Sequence, residues 1–218
     1  MDSNFMRATN LHGQSQRKWP ERDTLFFKFQ GPVELDPAKE HSPLLQHTAE
    51  LVRKVCERHS GTDWTLAANV QEAEDMWMDR KNALYSGLAL VEGSRGWSTD
   101  VCVPVSNLPT LVLETKKDLE KIGLVSTIVG HVGDGNFHAL ILFKTQDELE
   151  IAREAVHRMV ERALRLDGTS TGEHGVGIGK REFLNEELGN GTVQLMKRIK
   201  KMLDPHGLFN PGKLYPDD

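Results

Sequence analysis

Apolar positions along the 218 residues follow two periodicities, and the switches between them divide the chain into elements. Residues 24–30 concentrate Leu25, Phe26, Phe27 and Phe29 ahead of Gly31-Pro32, which predicts a first strand and a breaker. From 37 to 59, Leu44, Leu45, Thr48, Leu51, Val52 and Val55 recur at spacings of three and four, an amphipathic helix stopped by Gly61. A strand is expected at 64–70, then a helix over 72–90 through Met76, Ala83, Leu84 and Leu88, ending before Gly93 and Gly96. Residues 100–105 alternate weakly as a strand, with Pro104 placing it at an edge or an end, and 108–121 read as a helix.

The clearest supersecondary pattern follows. Two apolar runs, 125–131 and 137–143, flank Val132-Gly133-Asp134-Gly135-Asn136, which predicts a β-hairpin. Helices are expected over 147–166, about 180–187 and 192–203, separated by a glycine-rich stretch at 168–179 and followed by a turn-rich tail. The hairpin makes part of the sheet antiparallel, so the expected class is α+β rather than a doubly wound Rossmann sheet. Residues 1–23 read as a polar, irregular leader and 24–218 as the folded domain.

Composition narrows the function. A hydrophobic fraction of 38% and a charged fraction of 27% describe a globular chain. Its net charge of -5 provides no chain-wide positive field, which argues against nucleic acid as a partner. Cys56 and Cys102 form no CxxC pair, so neither a disulfide framework nor a cysteine zinc site is expected. The longest apolar run, 139–143, is far short of the roughly 20 residues that span a bilayer. Residues 1–23 carry Asp2, Glu21 and Asp23 and no apolar core, so no targeting segment is read there and the default location is cytoplasmic.

The chemistry concentrates in Gly130-His131-Val132-Gly133-Asp134-Gly135-Asn136-Phe137-His138. With the turn centred on Asp134 and Gly135, His131 would lie directly across from His138, with Cβ atoms about 4.5–5.5 Å apart. That spacing suits two ligands of one cation, and equally a pair of sheet histidines with satisfied hydrogen bonds. Glu173, within Thr169-Ser-Thr-Gly-Glu-His174, would complete a two-histidine, one-carboxylate set, leaving His174 free as a base. The plain alternative makes Glu173 a local cap and His174 a solvent-facing residue. A phosphate-loop reading through Gly179-Lys180 fails, because His174 and Arg181 stand where Gly and Ser or Thr are needed. Arg80, on a predicted helix, could anchor a carboxylate or could serve an exposed ion-paired face. The basic run Lys197-Arg-Ile-Lys-Lys201 complements a helix C-terminus.

Four segments in order, Ser98-Thr-Asp-Val-Cys-Val-Pro-Val-Ser106, Gly130 to His138, Thr171-Gly-Glu-His-Gly175 and Leu203-Asp-Pro-His-Gly-Leu-Phe-Asn-Pro-Gly-Lys213, resemble the C-terminal domain of the cytochrome-type FAD-linked D-lactate dehydrogenases. The resemblance runs from about Thr24 to Tyr215. It implies a ferredoxin-like cap domain with an antiparallel sheet, working beside a separate flavin-binding domain of the vanillyl-alcohol-oxidase type, which is not expected within this sequence. By the same resemblance His131, His138 and Glu173 hold a divalent metal, zinc or manganese, His174 accepts the substrate's hydroxyl proton, and Arg80 anchors its carboxylate. Asn210 and Lys213 are the implied FAD contacts. The implied reaction is oxidation of D-lactate to pyruvate with an acceptor such as cytochrome c, in a mitochondrion. Leu84, Ser98 and Leu140 stand where the D-2-hydroxyglutarate branch has polar groups, which favours a small monocarboxylate substrate. The alternative is a non-catalytic metal or 2-hydroxy-acid binding module that pairs with a separate flavin subunit.

Overall fold

Along residues 136–143 the side chains of Phe137, Ala139 and Ile141 alternate with those of His138, Leu140 and Leu142, and every one is buried. A strand buried on both faces needs a layer on each side. That requirement organises the computed structural model, which describes residues 1–13, 17–31 and 43–216.

The elements are α1 (Ser3–His12), α2 (Pro43–Arg58), α3 (Val70–Lys81), α4 (Ala83–Leu88), β1 (Arg95–Ser98), β2 (Val101–Cys102), α5 (Leu108–Lys121), β3 (Ser126–His131), β4 (Asn136–Phe143), α6 (Gln146–Arg165), α7 (Leu184–Leu188) and α8 (Asn190–Leu203). Strand β4 is central and wholly antiparallel to its neighbours: β3 flanks one edge, β1 and β2 share the other. Ser98 pairs with Leu140 and Val101 with Phe137, so one register continues across Thr99 and Asp100, where the ladder is interrupted: Thr99 N–H still donates to the Ala139 carbonyl at 2.9 Å, but Ala139 N–H turns to Thr99 Oγ1. A single bridge from Cys102 to Thr169 adds the trace of a further strand beside β2. The order of strand, α5, β3, β4, α6, bridge is the ferredoxin-like pattern, and the fold is α+β as expected.

Helices α5 and α6 cover one face, where Leu111, Leu119, Ala155, Met159 and Val160 pack on Phe137, Ala139 and Ile141. Thr145 and Glu148 close a reciprocal capping box at the start of α6. Helices α1 and α4 cover the other face, where Phe5, Ala8 and Ala83 pack on Leu140 and Leu142. Among the described residues no helix is long and apolar enough to cross a membrane.

Several expectations for the first half are corrected. Residues 3–12, read as an irregular leader, form α1, with Phe5, Met6 and Ala8 buried. Residues 24–30 pair with no strand, because the outer edge of β3 is already taken: Asp2 N–H donates to the Ile128 carbonyl and Asn4 Nδ2 to that of Ser126. The aromatics of that segment turn to other rings, Phe26 to Trp19 and Phe27 to Trp64. Residues 64–70 are not a strand either, since Asn69 caps α3 by accepting from Glu72 N–H. The helix expected over 72–90 is broken at Asn82 into α3 and α4. Strand β1 went unread because Arg95-Gly-Trp-Ser98 carries no apolar alternation. Residues 37–42 of the expected second element lie outside the described residues.

Candidate active site

The hairpin does not turn where the sequence places it. His131 pairs with Asn136 and Val129 with His138, so four residues, 132–135, form the connection. A 3-10 turn through Val132–Asp134 ends at Gly135, whose φ of 71° lies in the left-handed region. The expected direct pairing of His131 with His138 is therefore corrected. The slip is two residues in register, which preserves the face, and the histidines become diagonal neighbours with ring centroids 5.8 Å apart.

Glu173 meets both. Its Oε1 lies 3.0 Å from His138 Nε2 and 3.4 Å from His131 Nε2. His138 Nδ1 faces the Thr99 carbonyl at 3.0 Å, and a carbonyl can only accept, so that nitrogen carries the proton. Burial pushes the His138 pKa down, against the Thr99 hydrogen bond and the Asp100 charge, and so favours the neutral ring. In that form Nε2 offers its lone pair toward a carboxylate oxygen that also has only lone pairs to give. Two acceptors at 3.0 Å call for a cation or a proton between them. The ligand atoms of His131, His138 and Glu173 all lie within 4.8 Å of one another, and their N,N,O chemistry suits a divalent transition metal.

The His174 ring stacks on His138, with centroids 4.8 Å apart and planes 7° from parallel, and is half exposed. Arg80 reaches the same place from the last turn of α3: its Nη2 donates to the Gly130 carbonyl at 3.4 Å. Burial lowers its pKa while the Glu173 charge raises it. Five of the seven residues singled out from the sequence thus converge. Asn210 and Lys213 do not join this cluster: Lys213 Nζ donates to Asn210 Oδ1 at 3.2 Å, on an open groove of about 440 Å³ lined also by Lys197, Lys201 and Tyr215.

What the sequence reading missed is the scaffold under Glu173 and His174. Asp100, 0% exposed, turns its Oδ2 into a nest made by the N–H groups of Gly172, Glu173 and His174 at 2.8, 2.9 and 2.8 Å. Thr171 Oγ1 donates to the same oxygen at 3.0 Å, and Asn136 Nδ2 donates to Oδ1 at 2.7 Å. Lys180 Nζ donates to the Asp100 backbone carbonyl and stands 3.6 Å from Oδ2. Burial opposes ionisation of Asp100, but the His174 N–H, the Lys180 charge and the two side-chain donors outweigh it and hold the carboxyl well below the usual range. Glu187 fastens the start of the loop by accepting from Ser170 N–H and Oγ at 3.0 and 2.7 Å. Asp100 and Lys180 stand in stretches that the sequence reading did single out, but nothing in their spacing marks them as partners 80 residues apart.

Known proteins share this chain's pattern. The family model for FAD linked oxidases, C-terminal domain, matches residues 1–214. Over 100% of its length the chain is 41% identical to D-lactate dehydrogenase [cytochrome] 1, mitochondrial, of Saccharomyces cerevisiae, and spans 37% of that protein. It is 40% identical over 99% of its length to D-lactate dehydrogenase [cytochrome], mitochondrial, of Arabidopsis thaliana, spanning 36% of it. A more distant relative, D-2-hydroxyglutarate dehydrogenase, mitochondrial, of Danio rerio, is 31% identical over 72% of the chain and is covered over 29% of its own length.

Proposed function

From the premise that the chain belongs to the family of FAD-linked oxidase C-terminal domains, we propose that it is the substrate- and metal-binding part of an FAD-dependent D-lactate dehydrogenase. The observation that carries this reading is the convergence of His131 and His138 on Glu173 Oε1, with Arg80 and His174 beside them. A divalent cation held by those three ligands would supply Lewis-acid polarisation of a substrate hydroxyl, and the flavin of the complete enzyme would supply the two-electron acceptor. The Arg80 guanidinium fixes the substrate carboxylate. Its partial burial strengthens that contact by excluding water. His174 accepts the proton from the 2-hydroxyl, and its half-exposed ring passes it to solvent. The product is the 2-oxo acid, pyruvate from D-lactate.

D-lactate is favoured over a dicarboxylate on the sequence resemblance, in which Leu84, Ser98 and Leu140 replace polar groups; of these Leu140 is 3% exposed and packs with Phe5 and Ala8 in the core. The names of the yeast and plant relatives support a cytochrome as electron acceptor and a mitochondrial location. Asn210 and Lys213 are proposed as contacts to the flavin.

The test is cation content by mass spectrometry, together with manganese titration of the chain and its His131→Ala and Glu173→Ala variants. About one equivalent in the parent and loss in both variants is expected. Equal content in all three proteins, or none in the parent, would overturn the ligand assignment.

A further inference from the structure

We infer that Asp100 is a positioning residue that fixes Glu173 and His174 in their working geometry, taking Glu173 as ligand and His174 as base as proposed above. Glu173 and His174 belong to no helix or strand, and glycines surround them. Left to itself such a loop would sample many arrangements, and a ligand displaced by 1 Å loses its cation. Asp100 removes that freedom. One carboxylate oxygen accepts the N–H groups of three successive residues, 172–174, and the hydroxyl of Thr171. Because the bonds are to the backbone of Glu173 and His174 themselves, they set where both side chains start.

The base of this device is equally fixed. Asp100 takes the place opposite His138 in the continuing register, and neighbouring Thr99 holds the His138 ring through its carbonyl. One interrupted stretch of the ladder, Thr99 and Asp100, therefore orients a ring on β4 and a loop more than 70 residues away. Asn136 holds the second oxygen while donating also to the Val101 carbonyl at 2.9 Å, so the carboxylate cannot rotate out of the nest without losing a buried bond. Oδ2 of Asp100 thereby accepts four donors and Oδ1 accepts Asn136 Nδ2, so the carboxylate is committed to the loop and to β4, although Asp100, His138 and His174 also lie close enough for a second ligand set. Lys180 neutralises the buried charge from the far side of the loop.

The experiment compares the chain with Asp100→Ala and Asp100→Asn. It reads amide hydrogen exchange at Gly172, Glu173 and His174, manganese(II) affinity by calorimetry, and exchange along β4 as the measure of the intact fold. In Asp100→Ala the three amides are expected to exchange roughly 10–100-fold faster and manganese to bind at least about tenfold more weakly, while β4 keeps its protection. Asp100→Asn returns one oxygen to the nest but sets an NH2 against Asn136 Nδ2, so it should fall between the two. If Asp100→Ala does not fold, the asparagine variant carries the comparison alone, with the same signs. Unchanged exchange at 172–174, or equal loss of protection at 172–174 and along β4, would overturn the inference. Absence of manganese binding by the parent chain would instead defeat the ligand assignment, and the exchange arm would still decide whether Asp100 holds the loop.

Discussion

His138 shows how a single position acquires two functions from its surroundings. It is a core residue of a buried strand by its register, and a site residue because Thr99 fixes which nitrogen it presents. This position could be singled out in the sequence, as could His131, Glu173 and His174, because each combines a chemically specific side chain with a nearby glycine-rich turn, whereas Arg80 stands within a helix and has no such local mark. Asp100 was not legible, since its meaning depends on backbone N–H groups that carry no sequence signature. Glycine positions in the same loop separate two kinds of constraint. At Gly172 a Cβ would lie 2.1 Å from Asn136 Nδ2 and 2.7 Å from Asp100 Oδ1, both buried and hydrogen-bonded. At Gly175 nothing crowds a Cβ, but φ is 78°. Gly172→Ala is expected to cost about 1–3 kcal/mol by overpacking and to weaken manganese binding at least about tenfold. Gly175→Ala should cost about 1–2 kcal/mol from the left-handed backbone alone and leave metal affinity within about twofold. Denaturant titration and calorimetry on the two variants check this, and equal metal affinities would remove Gly172 from the scaffold.

At the scale of elements, sequence periodicity succeeded where an element's own residues decide its conformation and failed where a neighbour does. Helix α5 begins and ends where the apolar spacing places it, and α6 differs by one residue at each end. The strand expected at 24–30 failed because edge formation requires an unoccupied partner, and α1 had taken it. The hairpin was right in kind and wrong by two residues in register, because the Asp134-Gly135 pair serves a longer connection in which only Gly135 takes a positive φ. The end of α8 gives an element-level prediction. Asp204 accepts from Leu208 and Phe209 N–H, each at 2.9 Å, and from Lys200 Nζ, folding the tail back on the helix. Lys200 first and then the Phe209 N–H, with a further contribution from the Leu208 N–H and against the opposing effect of burial, lower its pKa from 3.8 to about 2. A depressed carboxylate stabilises the fold above the unfolded value and ceases to do so as pH falls through the folded value. The Leu208 and Phe209 amide resonances should therefore hold steady from neutral pH to about 4 and then shift with a midpoint near 2. A midpoint near 3.8 would mean that the turn does not hold the ionised form.

For the whole molecule, the decisive fact is that one strand supplies both cores. Phe137, Ala139 and Ile141 complete the layer under α5 and α6, while Leu140 and Leu142 complete the layer under α1 and α4. The candidate site stands at the end of that shared strand, so neither layer can melt without loosening His138. The contribution of α1 to this arrangement was the largest surprise relative to the sequence, where ten residues of mixed polarity showed no wide apolar face. Their buried members are few but large: Phe5 is 1% exposed and Met6 0%. Asp2 secures the helix by accepting from Phe5 N–H, and its own N–H ties the helix start to β3. Phe5→Ala should accordingly destabilise the whole chain by about 3–5 kcal/mol, the usual range for emptying a large aromatic site in a core. The layers are expected to unfold together, since β4 belongs to both. Urea denaturation of this variant, followed by far-ultraviolet circular dichroism and by hydrogen exchange at Phe137 and Leu142, should give coincident transitions at a lowered midpoint. An early transition confined to α1, with the remaining exchange pattern unaltered, would instead mean that the second face is an independent layer and that His138 owes its position to α5 and α6 alone.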